Sequence, residues 1–500
     1  MAPPTLLSGR RAIVVANGLA NMKRIAIIGG GISGLAVALT LERSRADGAL
    51  VDYVLYESHP RLGGVLLTEH VEGCVLEAGP DSFLTEKPWA RDLCRELGLE
   101  DQLIPSNDAE RKTYILKQGR LIKIPDGLLF LVPTKILPVV WSRLFSLPTK
   151  LRMAQEWFHP PRRSSQDESV AAMVERHYGR EMVEVLADPL LAGVYGGEAS
   201  QLGVQAVLPR LVEMEAKYGS LGRAMLAARK KPAALQSPGR PLFTSLKRGM
   251  QQIVDAVITR LRPTSLCLRT QVETVERKDG SWMISTESRS EPFDGVILAT
   301  PAHAAGGLLG KVSPPLAAEL LAIPYTSSIT INFAYDREVR ASLPPGFGFL
   351  VPSSEGRCIL AATFVHNKFP YRAPENRALV RCFLSGSRNQ GIFERSDEDI
   401  LAIAGKELEQ ILRLQADPLF ARVYRWKSAM AQYGVSHLAR LQRIDALLAE
   451  LPDLALAGNG YRGIGVPDCV RTGQEAATRL LTGLGLAAAS TPAPVASDAP

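Results

Sequence analysis

The sequence predicts an α/β protein organised around a parallel sheet. Three observations predict this class. The apolar run 25–28 leads into a glycine-rich turn, after which apolar residues recur at helical spacing over 35–41. A second apolar run, 51–56, follows that helix, as in a strand–helix–strand unit. A third run within 293–301 ends in small residues and a proline, which is typical of a buried parallel strand.

The glycine-rich turn carries Gly29, Gly31 and Gly34. A pyrophosphate bound there would lie against the free N–H groups of the helix's first turn, where any Cβ would hold the backbone away. Glu57 ends the second strand 23 residues later (57 − 34 = 23), where dinucleotide folds place the carboxylate that accepts from ribose hydroxyls. A lone glycine turn is weak evidence, and Glu57 alone could be a solvated surface acid. Together with the glycine pair 63–64, these features predict a dinucleotide site.

Length and composition exclude several classes of protein. The 500 residues are 46% hydrophobic and 22% charged, which predicts two or three lobes because single cores stop growing near about 250–300 residues. The net charge of +7 suits an acidic ligand or an anionic membrane, but no basic run is interleaved with aromatic residues, so nucleic acid is not an expected partner. The six cysteines and seven histidines form no CxxC, HxxxH or HExxH pattern, which argues against a metal site and favours the reducing cytoplasm.

The two ends of the chain are predicted to lie outside the folded part. Residues 1–22 form an N-terminal extension with two arginines and no acid, and a targeting leader is the alternative. Residues 487–500 are rich in Ala, Pro, Ser and Thr and are predicted to be a disordered tail. No stretch contains the roughly 18 uncharged apolar residues that a membrane-spanning helix needs.

Helices dominate the next predicted lobe, 91–240. Helical spacing covers 89–99, 167–191 and 211–231. The glycine cluster in 192–198 is too dense for a helix interior, where each glycine costs about 1 kcal/mol relative to alanine. We expect it to let the backbone approach a ligand or another chain segment.

The stretch 121–158 alternates apolar segments with prolines and keeps lysines and arginines among Leu, Phe and Trp. Such a stretch either lies on a membrane surface, with lysines at the headgroups, or forms short helices over a pocket. The sequence leaves both interpretations open.

Strands return after residue 241. A helix is predicted over 250–261, followed by strands over 266–275 and 282–286 with Asp279-Gly280 as the hairpin turn. Alternation then predicts an antiparallel sheet from four runs, 327–335, 347–352, 359–364 and 379–384, and helical spacing follows over 397–412.

The stretch 454–474 contains four glycines before an apolar helix and is a second glycine-rich helix entrance. It would bring N–H groups to the other part of an extended cofactor. This favours FAD over NAD, because FAD is the longer of the two. A second independent nucleotide site is the alternative, but no strand and acid accompany it.

Nine motifs in this order resemble the FAD-dependent porphyrinogen oxidases, the coproporphyrinogen III and protoporphyrinogen IX oxidases of haem biosynthesis. The motifs are IAIIGGGISGLA, YESHPRLGGV, EAGPDSFLTEKP, PLLAGVYGGE, ILATP, GFGFLVP, KFPYRAPENR, RWKSAMAQY and GNGYRGIGVPDC. The resemblance implies an amine-oxidase-like α/β flavoprotein with a Rossmann-type FAD-binding lobe, an inserted helical lobe and an antiparallel-sheet substrate lobe. The implied boundaries are 23–90, 241–301 and 424–486 for the FAD lobe, 91–240 for the helical lobe, and 302–423 for the sheet lobe.

The resemblance also implies which residues bind FAD. The glycine turn and the end of the second strand would hold the adenosine and diphosphate, and the turn 79–82 would run beside the flavin. Val272 would meet adenine through its backbone, Trp426 would stand near the flavin, and Val466 would close its pyrimidine side. The full set is Gly29, Gly31, Ile32, Ser33, Gly34, Glu57, Ser58, Arg61, Gly64, Gly79, Pro80, Asp81, Ser82, Val272, Trp426, Gly458 and Val466.

On the substrate side, the resemblance implies that Lys87 holds a propionate and that the Gly193 carbonyl accepts from pyrrole N–H groups. Leu350, Thr363 and Phe383 would line the macrocycle pocket. Lys87 could instead be a solvated lysine, and the last three could be ordinary sheet-core side chains. Relatives often have arginine at the position of Lys87. Lysine offers a point charge and cannot form the bidentate hydrogen bonds that arginine makes with a carboxylate.

The implied reaction converts coproporphyrinogen III, protoporphyrinogen IX or both to the porphyrin by three hydride transfers to flavin N5, with O2 reduced to H2O2. No side chain is predicted to be catalytic, because no histidine or carboxylate lies on a substrate-facing motif. The implied partners are the porphyrinogen, O2 and the next haem-pathway enzyme, with peripheral membrane contact left open. The rival functions are an FAD-dependent amine oxidase or carotenoid-desaturase-like enzyme, and a non-catalytic porphyrin-binding flavoprotein.

Overall fold

The computed structural model describes residues 22–129, 131–163, 166–230, 241–386, 388–389 and 391–486. The predictions for 1–21 and 487–500 therefore lie outside the described residues. The strands are β1 Lys23–Ile28, β2 Val51–Tyr56, β3 Thr68–Val71, β4 Cys74–Glu77, β5 Phe83–Leu84, β6 Leu103–Pro105, β7 Thr113–Lys117, β8 Arg120–Lys123, β9 Leu128–Leu129, β10 Val132–Pro133, β11 Phe243–Leu246, β12 Leu266–Cys267, β13 Val272–Lys278, β14 Ser281–Thr286, β15 Ser290–Phe293, β16 Gly295–Leu298, β17 Tyr325–Tyr335, β18 Gly348–Leu350, β19 Ala361–Phe364, β20 Ala378–Ser385, β21 Phe420–Ala431 and β22 Leu454–Leu456.

The α-helices lie partly between these strands and partly in one run between β10 and β11. They are α1 Ile32–Ala46, α2 Trp89–Glu96, α3 Ile136–Trp141, α4 Leu147–Gln155, α5 Val170–Tyr178, α6 Arg180–Met182, α7 Asp188–Tyr195, α8 Val204–Val207, α9 Pro209–Tyr218, α10 Leu221–Lys230, α11 Gln251–Ile258, α12 Ala302–Leu309, α13 Pro314–Leu321, α14 Arg337–Ser342, α15 Val365–Lys368, α16 Asp397–Leu412, α17 His437–Ala449 and α18 Val466–Gly483. A π-helical turn, Val183–Ala187, joins α6 to α7.

The chain divides into two compact units. Among the described residues, the first unit comprises 22–64, 253–322 and 443–486, and the second comprises those within 65–252 and 323–442. The first unit is thus assembled from three separate segments of chain. The predicted lobe boundaries stay a prediction.

The first unit is built on a five-stranded sheet in the order β12–β2–β1–β16–β22, with all neighbours parallel. This confirms the predicted parallel sheet. Helices α1 and α18 pack closely on each other, since a Cβ on Gly473 would lie 2.4 Å from the carbonyl oxygen of Ser33. Because parallel strands deliver their carboxyl ends to one edge, the glycine turns after β1 and β22 both begin at that edge.

A separate antiparallel sheet of the first unit, β13–β14–β15, corrects one prediction. The predicted strand over 266–275 is two strands: β12 runs parallel beside β2, whereas β13 pairs with β14. Between them Arg269 has a φ of +50°, a left-handed conformation that interrupts an extended strand. The predicted hairpin turn is confirmed, with φ of +51° at Asp279 and +81° at Gly280.

A seven-stranded sheet, β21–β17–β20–β19–β18–β7–β8, forms the centre of the second unit. All its neighbours are antiparallel except β18 and β7. The predicted antiparallel sheet is confirmed, and it also includes β7 and β8, which the sequence analysis placed in the helical lobe. One face carries Ile331, Phe333 and Val380 into a hydrophobic core shared with Ile400 and Leu408 of α16. Alternate residues of the same strands point to the opposite face.

Two predictions about the helices of the second unit are wrong. The glycine cluster was expected outside any helix, yet α7 continues through Gly193 and ends only at Gly196, which has a φ of +65°. The helix predicted over 211–231 is divided at Gly219 into α9 and α10, and Lys231 lies outside the described residues. Gly219 has a φ of +72°, and a Cβ there would lie 2.2 Å from the carbonyl oxygen of His159.

Candidate functional site

The glycine turn between β1 and α1 is fixed by close backbone contacts. Gly29 has a φ of +106°, and a Cβ there would lie 2.7 Å from the carbonyl oxygen of Ala299. A Cβ on Gly34 would lie 1.9 Å from the carbonyl oxygen of Gly29. Gly31 differs, because nothing lies within 4 Å of the position its Cβ would occupy. The protein itself occupies the space at two of the glycines and leaves it open at the third.

Gly31 is the N-cap residue of α1, and the buried Ile32 and Ser33 follow in the first turn. This end of the helix has no side-chain cap and no acidic residue, whereas Arg43 and Arg45 stand in its last turn. The first N–H groups of a helix have no intrahelical acceptor, and the helix dipole favours an anion there. The open space at Gly31 and the uncapped helix therefore fit the diphosphate of a dinucleotide cofactor.

The carboxylate of Glu57 is buried directly beside this turn. Its Oε2 accepts from the backbone N–H of Gly30 at 2.7 Å, and its Oε1 accepts from the backbone N–H of His59 at 2.8 Å. The exposed Ser58 lies with its Oγ 3.3 Å from the same Oε1. Burial excludes the alternative that Glu57 is a solvated surface acid.

Arg61 and Gly64 lie in the loop that follows Glu57. The Arg61 guanidinium donates to the carbonyl oxygen of Gly64, and Gly63 N donates to the carbonyl oxygen of Gly30 at 2.8 Å. Gly64 has a φ of +57°, and its Cβ would lie 3.3 Å from the Cα of Gly31. The structure thus brings the two glycine-containing loops into direct contact within the first unit.

The remaining predicted FAD-binding residues of the first unit lie in two different regions of that unit. Gly458 follows β22 with a φ of +129°, and its Cβ position lies 3.7 Å from the carbonyl oxygen of Thr300, the residue that follows the β16 edge. Val466 is the first residue of α18 and is buried. Val272 lies in another sheet, as the buried first residue of β13. Its predicted contact with adenine stays a prediction.

The turn Gly79–Ser82 lies in the second unit, and three carbonyl groups in or next to it accept hydrogen bonds from buried or half-buried side chains. Trp426 Nε1 donates to the Ala78 oxygen at 2.8 Å, the Arg381 guanidinium donates to the Gly79 oxygen, and Ser245 Oγ donates to the Asp81 oxygen at 2.6 Å. Trp426, predicted to stand near the flavin, is therefore joined to the turn predicted to run beside it. The turn has little freedom to move.

The Asp81 side chain is paired with two cations. Lys368 Nζ donates to the two carboxylate oxygens at 3.1 and 3.0 Å, and Arg381 Nη1 lies 3.8 Å away. Ser82 Oγ donates to the same group at 2.6 Å. Burial alone would raise the pKa of Asp81, but the charges of Lys368 and Arg381 outweigh it and hold the pKa well below its usual range. The Asp81 carboxyl is therefore ionised at neutral pH.

A second ion pair lies deeper in the second unit. Arg372, only 1% exposed, donates to the Glu77 carboxylate and, at 2.5 Å, to Ser245 Oγ. No role was predicted from the sequence for Lys368, Arg372 or Arg381. An arginine inside the apolar run 378–385 was the available signal, because a buried charge requires a partner.

The three residues predicted to line the macrocycle pocket share one face of the seven-stranded sheet. Leu350 and Phe383 both pair with Ala361, and Thr363 lies two residues further along the same strand. Directly opposed residues of antiparallel strands point to the same side. By the same register Trp426 also lies on this face, since it pairs with Ser328 of β17.

This face is opposite to the one that packs on α16, and Leu350, Thr363 and Phe383 are only half-buried. They are therefore not core side chains of the sheet. Their contact with a macrocycle stays a prediction.

Gly193 and Lys87 occupy different settings. Gly193 is exposed in the last turn of α7, where carbonyl groups have no intrahelical donor, and its Cβ position lies 3.6 Å from Leu350 Cδ2. Its carbonyl is thus placed near the predicted pocket lining. Lys87 is half-buried, and its backbone N–H donates to the Leu84 oxygen at 3.3 Å. Its contact with a propionate stays a prediction.

Comparisons with known proteins agree with this geometry. The model of the family described as flavin containing amine oxidoreductase matches residues 32–481. The chain is 31% identical over 465 residues to coproporphyrinogen III oxidase of Bacillus subtilis (strain 168), covering 92% of this chain and 98% of the relative. It is 28% identical over 493 residues to the mitochondrial protoporphyrinogen oxidase of Nicotiana tabacum, covering 92% and 95%.

Solved structures show the same fold. A crystal structure from Exiguobacterium sp. 255-15, provisionally assigned as a protoporphyrinogen oxidase, matches with a TM-score of 0.82 and 30% identity, covering 91% of this chain and 98% of that one. Cyclohexylamine oxidase from Brevibacterium oxydans IH-35A matches with a TM-score of 0.65 at 18% identity, covering 93% and 100%, a likeness of fold alone. The predicted fold class and flavin cofactor are confirmed, and the chain belongs to the flavin-containing amine oxidoreductase family.

Proposed function

We propose that this protein is an FAD-dependent oxidase that converts coproporphyrinogen III to coproporphyrin III, protoporphyrinogen IX to protoporphyrin IX, or both. The observation that carries the proposal is the half-buried face of the seven-stranded sheet, where Leu350, Thr363 and Phe383 lie on the same side as Trp426. This face presents the apolar side chains Leu350, Phe383 and Trp426 among polar ones such as Thr330 and Arg381. Apolar contacts spread over three strands suit a macrocycle with polar substituents better than a small amine. The match over nearly the whole length of the Bacillus subtilis coproporphyrinogen III oxidase supports the same substrate class.

FAD, when bound, supplies a two-electron acceptor that removes hydride from the substrate. In the first unit, the open turn at Gly31, the start of α1 and the Glu57 carboxylate would hold its diphosphate and adenosine. In the second unit, the fixed turn Gly79–Ser82 and Trp426 would lie beside its ring system.

The chain's own contribution to the reaction is positioning, not proton transfer. Phe383 and Leu350 would provide apolar contact to the macrocycle, and the Gly193 carbonyl would accept from its pyrrole N–H groups. Lys87 would pair with a propionate as a point charge. A porphyrinogen becomes aromatic on oxidation, so its conversion is thermodynamically favourable, and a fixed orientation lowers the activation barrier. Each of three rounds removes two electrons and two protons, and each reduces one O2 to H2O2.

Anaerobic mixing tests the proposal. Coproporphyrinogen III should bleach the yellow holoprotein within seconds, and readmitted O2 should restore the colour and yield H2O2. Bleaching by an amine but not by either porphyrinogen would identify an amine oxidase instead. Tight porphyrin binding without bleaching by any donor would support a non-catalytic flavoprotein. The ratio of kcat/KM for the two porphyrinogens, measured on one preparation, then decides the preferred substrate.

Peripheral binding to an anionic membrane is a further part of the proposal. Helices α3 and α4 and the turn after them carry exposed large apolar side chains, with Trp141 83% and Phe158 82% exposed, beside the exposed cations Lys135 and Arg143. Exposed aromatics flanked by cations suit the headgroup region of a bilayer. Within the described ranges, no helix is both long and apolar enough to cross a membrane.

Flotation with anionic liposomes tests this contact. The double variant Trp141→Ser and Phe158→Ser should lose flotation, whereas Leu419→Ser, which removes a different exposed apolar side chain of the second unit, should float like the parent. Equal flotation of both variants would contradict membrane binding through this patch.

A further inference from the structure

A buried group of five charged side chains surrounds the turn Gly79–Ser82. Its members are Glu77, Asp81, Lys368, Arg372 and Arg381. Glu77, Arg372 and Arg381 are each less than 5% exposed, and the side chains of Lys368 and Asp81 are 11% and 14% exposed. All five belong to the second unit.

The two carboxylates do not neutralise the three cations. Arg372 is matched by Glu77, which also accepts from Met250 N at 2.8 Å and Thr68 Oγ1 at 2.8 Å. Asp81 is shared between Lys368 and Arg381 and lies nearer to the lysine.

The group of five thus has one surplus positive charge, and Arg381 is its most weakly paired cation, because it shares Asp81 with Lys368 and lies 3.8 Å from that carboxylate. Its Nη2 donates to a neutral acceptor, the Gly79 carbonyl oxygen, and its Nε has no hydrogen-bond partner among the described residues. Its guanidinium lies 4.8 Å from the ring centroid of Phe383. Glu69, another acid of this unit, is 40% exposed and pairs with Arg422 instead.

A buried positive charge that is only weakly paired is costly, and negative charge on a group bound beside it would lower that cost. Arg381 touches Gly79, which is predicted to run beside the flavin, and Phe383, which is predicted to meet the substrate. A flavin gains negative charge on two-electron reduction, so a charge close to it changes its reduction potential.

We infer that Arg381 is a positioning residue with an electrostatic role: its weakly paired charge at the Gly79 carbonyl favours the reduced over the oxidised flavin and so raises the reduction potential of the cofactor. This inference rests on the flavin position given in the proposed function but not on the identity of the substrate. It can therefore fail while the porphyrinogen assignment stands.

The midpoint potential of the bound flavin, titrated against a reference dye without any porphyrinogen, tests the inference. Arg381→Gln should shift the equilibrium between oxidised and reduced flavin at least tenfold towards the oxidised form. For a two-electron couple this lowers the midpoint potential by about 30 mV. Arg381→Lys, which keeps the charge, should stay closer to the parent. Asp81→Asn removes a neighbouring negative charge and should shift the potential upwards.

Arg180→Gln is the matched control, because this arginine of the same unit is 79% exposed and should leave the potential unchanged. A parental potential in Arg381→Gln, or a downward shift in Asp81→Asn, would overturn the inference. If Arg381→Gln holds no FAD, Lys368→Gln replaces it and must lower the potential while Asp81→Asn raises it. If the midpoint potentials of Lys368→Gln and Asp81→Asn change in any other pair of directions, the electrostatic role is also refuted.

Discussion

The backbone N–H of Gly30 donates to Glu57 Oε2 at 2.7 Å, so the acid that follows β2 is fixed on the loop that follows β1. A charge-assisted hydrogen bond of this kind contributes about 1.5–3 kcal/mol. The contact orients the carboxylate that is predicted to meet the ribose of FAD, and it joins the two loops whose geometry that site requires.

Glu57→Gln should therefore weaken FAD binding. The amide keeps one acceptor but loses the charge, and we expect the Kd to rise by about tenfold or more, measured by titrating the apoprotein with FAD and following flavin fluorescence. Glu276→Gln, a half-exposed acid of the same unit, should leave the Kd unchanged. An unaltered Kd in Glu57→Gln would contradict the predicted ribose contact.

The same substitution at two helical glycines of the first unit should have opposite effects on stability. Gly473→Ala should lower the free energy of unfolding by about 1–3 kcal/mol, because the new Cβ would lie 2.4 Å from the Ser33 oxygen. Gly307→Ala should raise it by about 0.5–1 kcal/mol, since α12 has open space there and alanine is the better helix former. Urea unfolding of both variants measures the change in the free energy of unfolding. Changes of the same sign in the two variants would contradict the packing described.

Glu181 should make the second unit sensitive to acid. It accepts from Ser146 N at 2.9 Å, from Ser146 Oγ at 2.6 Å and from Lys117 Nζ at 3.0 Å. Burial would raise the pKa of Glu181, but the hydrogen bonds lower it to about 2, below its ordinary value near 4.5. A lowered pKa in the folded state stabilises above about pH 4.5, and that stabilisation is lost as the pH falls towards 2.

After a discount for solvent screening, this stabilisation amounts to about 1–3 kcal/mol. Glu181→Gln should remove it, so the difference in unfolding free energy between parent and variant should be largest at pH 6 and shrink at pH 3. Denaturant titrations at the two pH values measure this difference. If the difference in unfolding free energy between the parent and Glu181→Gln grew as the pH fell, the predicted role of the ionised Glu181 would be contradicted.

Lys87 should affect substrate binding more than turnover. If its ammonium pairs with a propionate, Lys87→Ala should raise KM for coproporphyrinogen III by about tenfold or more with a smaller change in kcat, and Lys87→Arg should restore binding. Steady-state kinetics on the three proteins measure the effect. Parental KM values in Lys87→Ala would leave Lys87 as a solvated lysine beside Glu86.

The sequence allowed the local parts of the fold to be predicted. The first strand, its glycine turn, α1 and β2 follow from short-range patterns: apolar periodicity, glycines at fixed spacing and a terminal acid. The break between β12 and β13 could not be read in this way, because both halves are strand-like and only their different partners separate them. Likewise α7 continues through Gly193 although glycine disfavours helix, which shows tertiary context overriding propensity.

The charged group around Gly79–Ser82 was the main feature of the site that the sequence analysis missed. Asp81 and Lys368 are 287 positions apart, and neither residue type indicates its partner. The pattern did show that an arginine interrupts an apolar strand at position 381, but the carbonyl it would contact became identifiable only when the turn and β20 were located together in space.

The contact of Gly473 with Ser33 has a consequence for how the protein is made. The helix that packs on α1 is synthesised long after it, because Val466 follows Ala46 by 420 positions (466 − 46 = 420). Until that helix has been made, the apolar surface of α1 that it covers stays exposed on the nascent chain. Chaperones that shield this surface during translation should therefore associate with ribosome-bound chains, and a stop codon before Val466 should yield aggregated product.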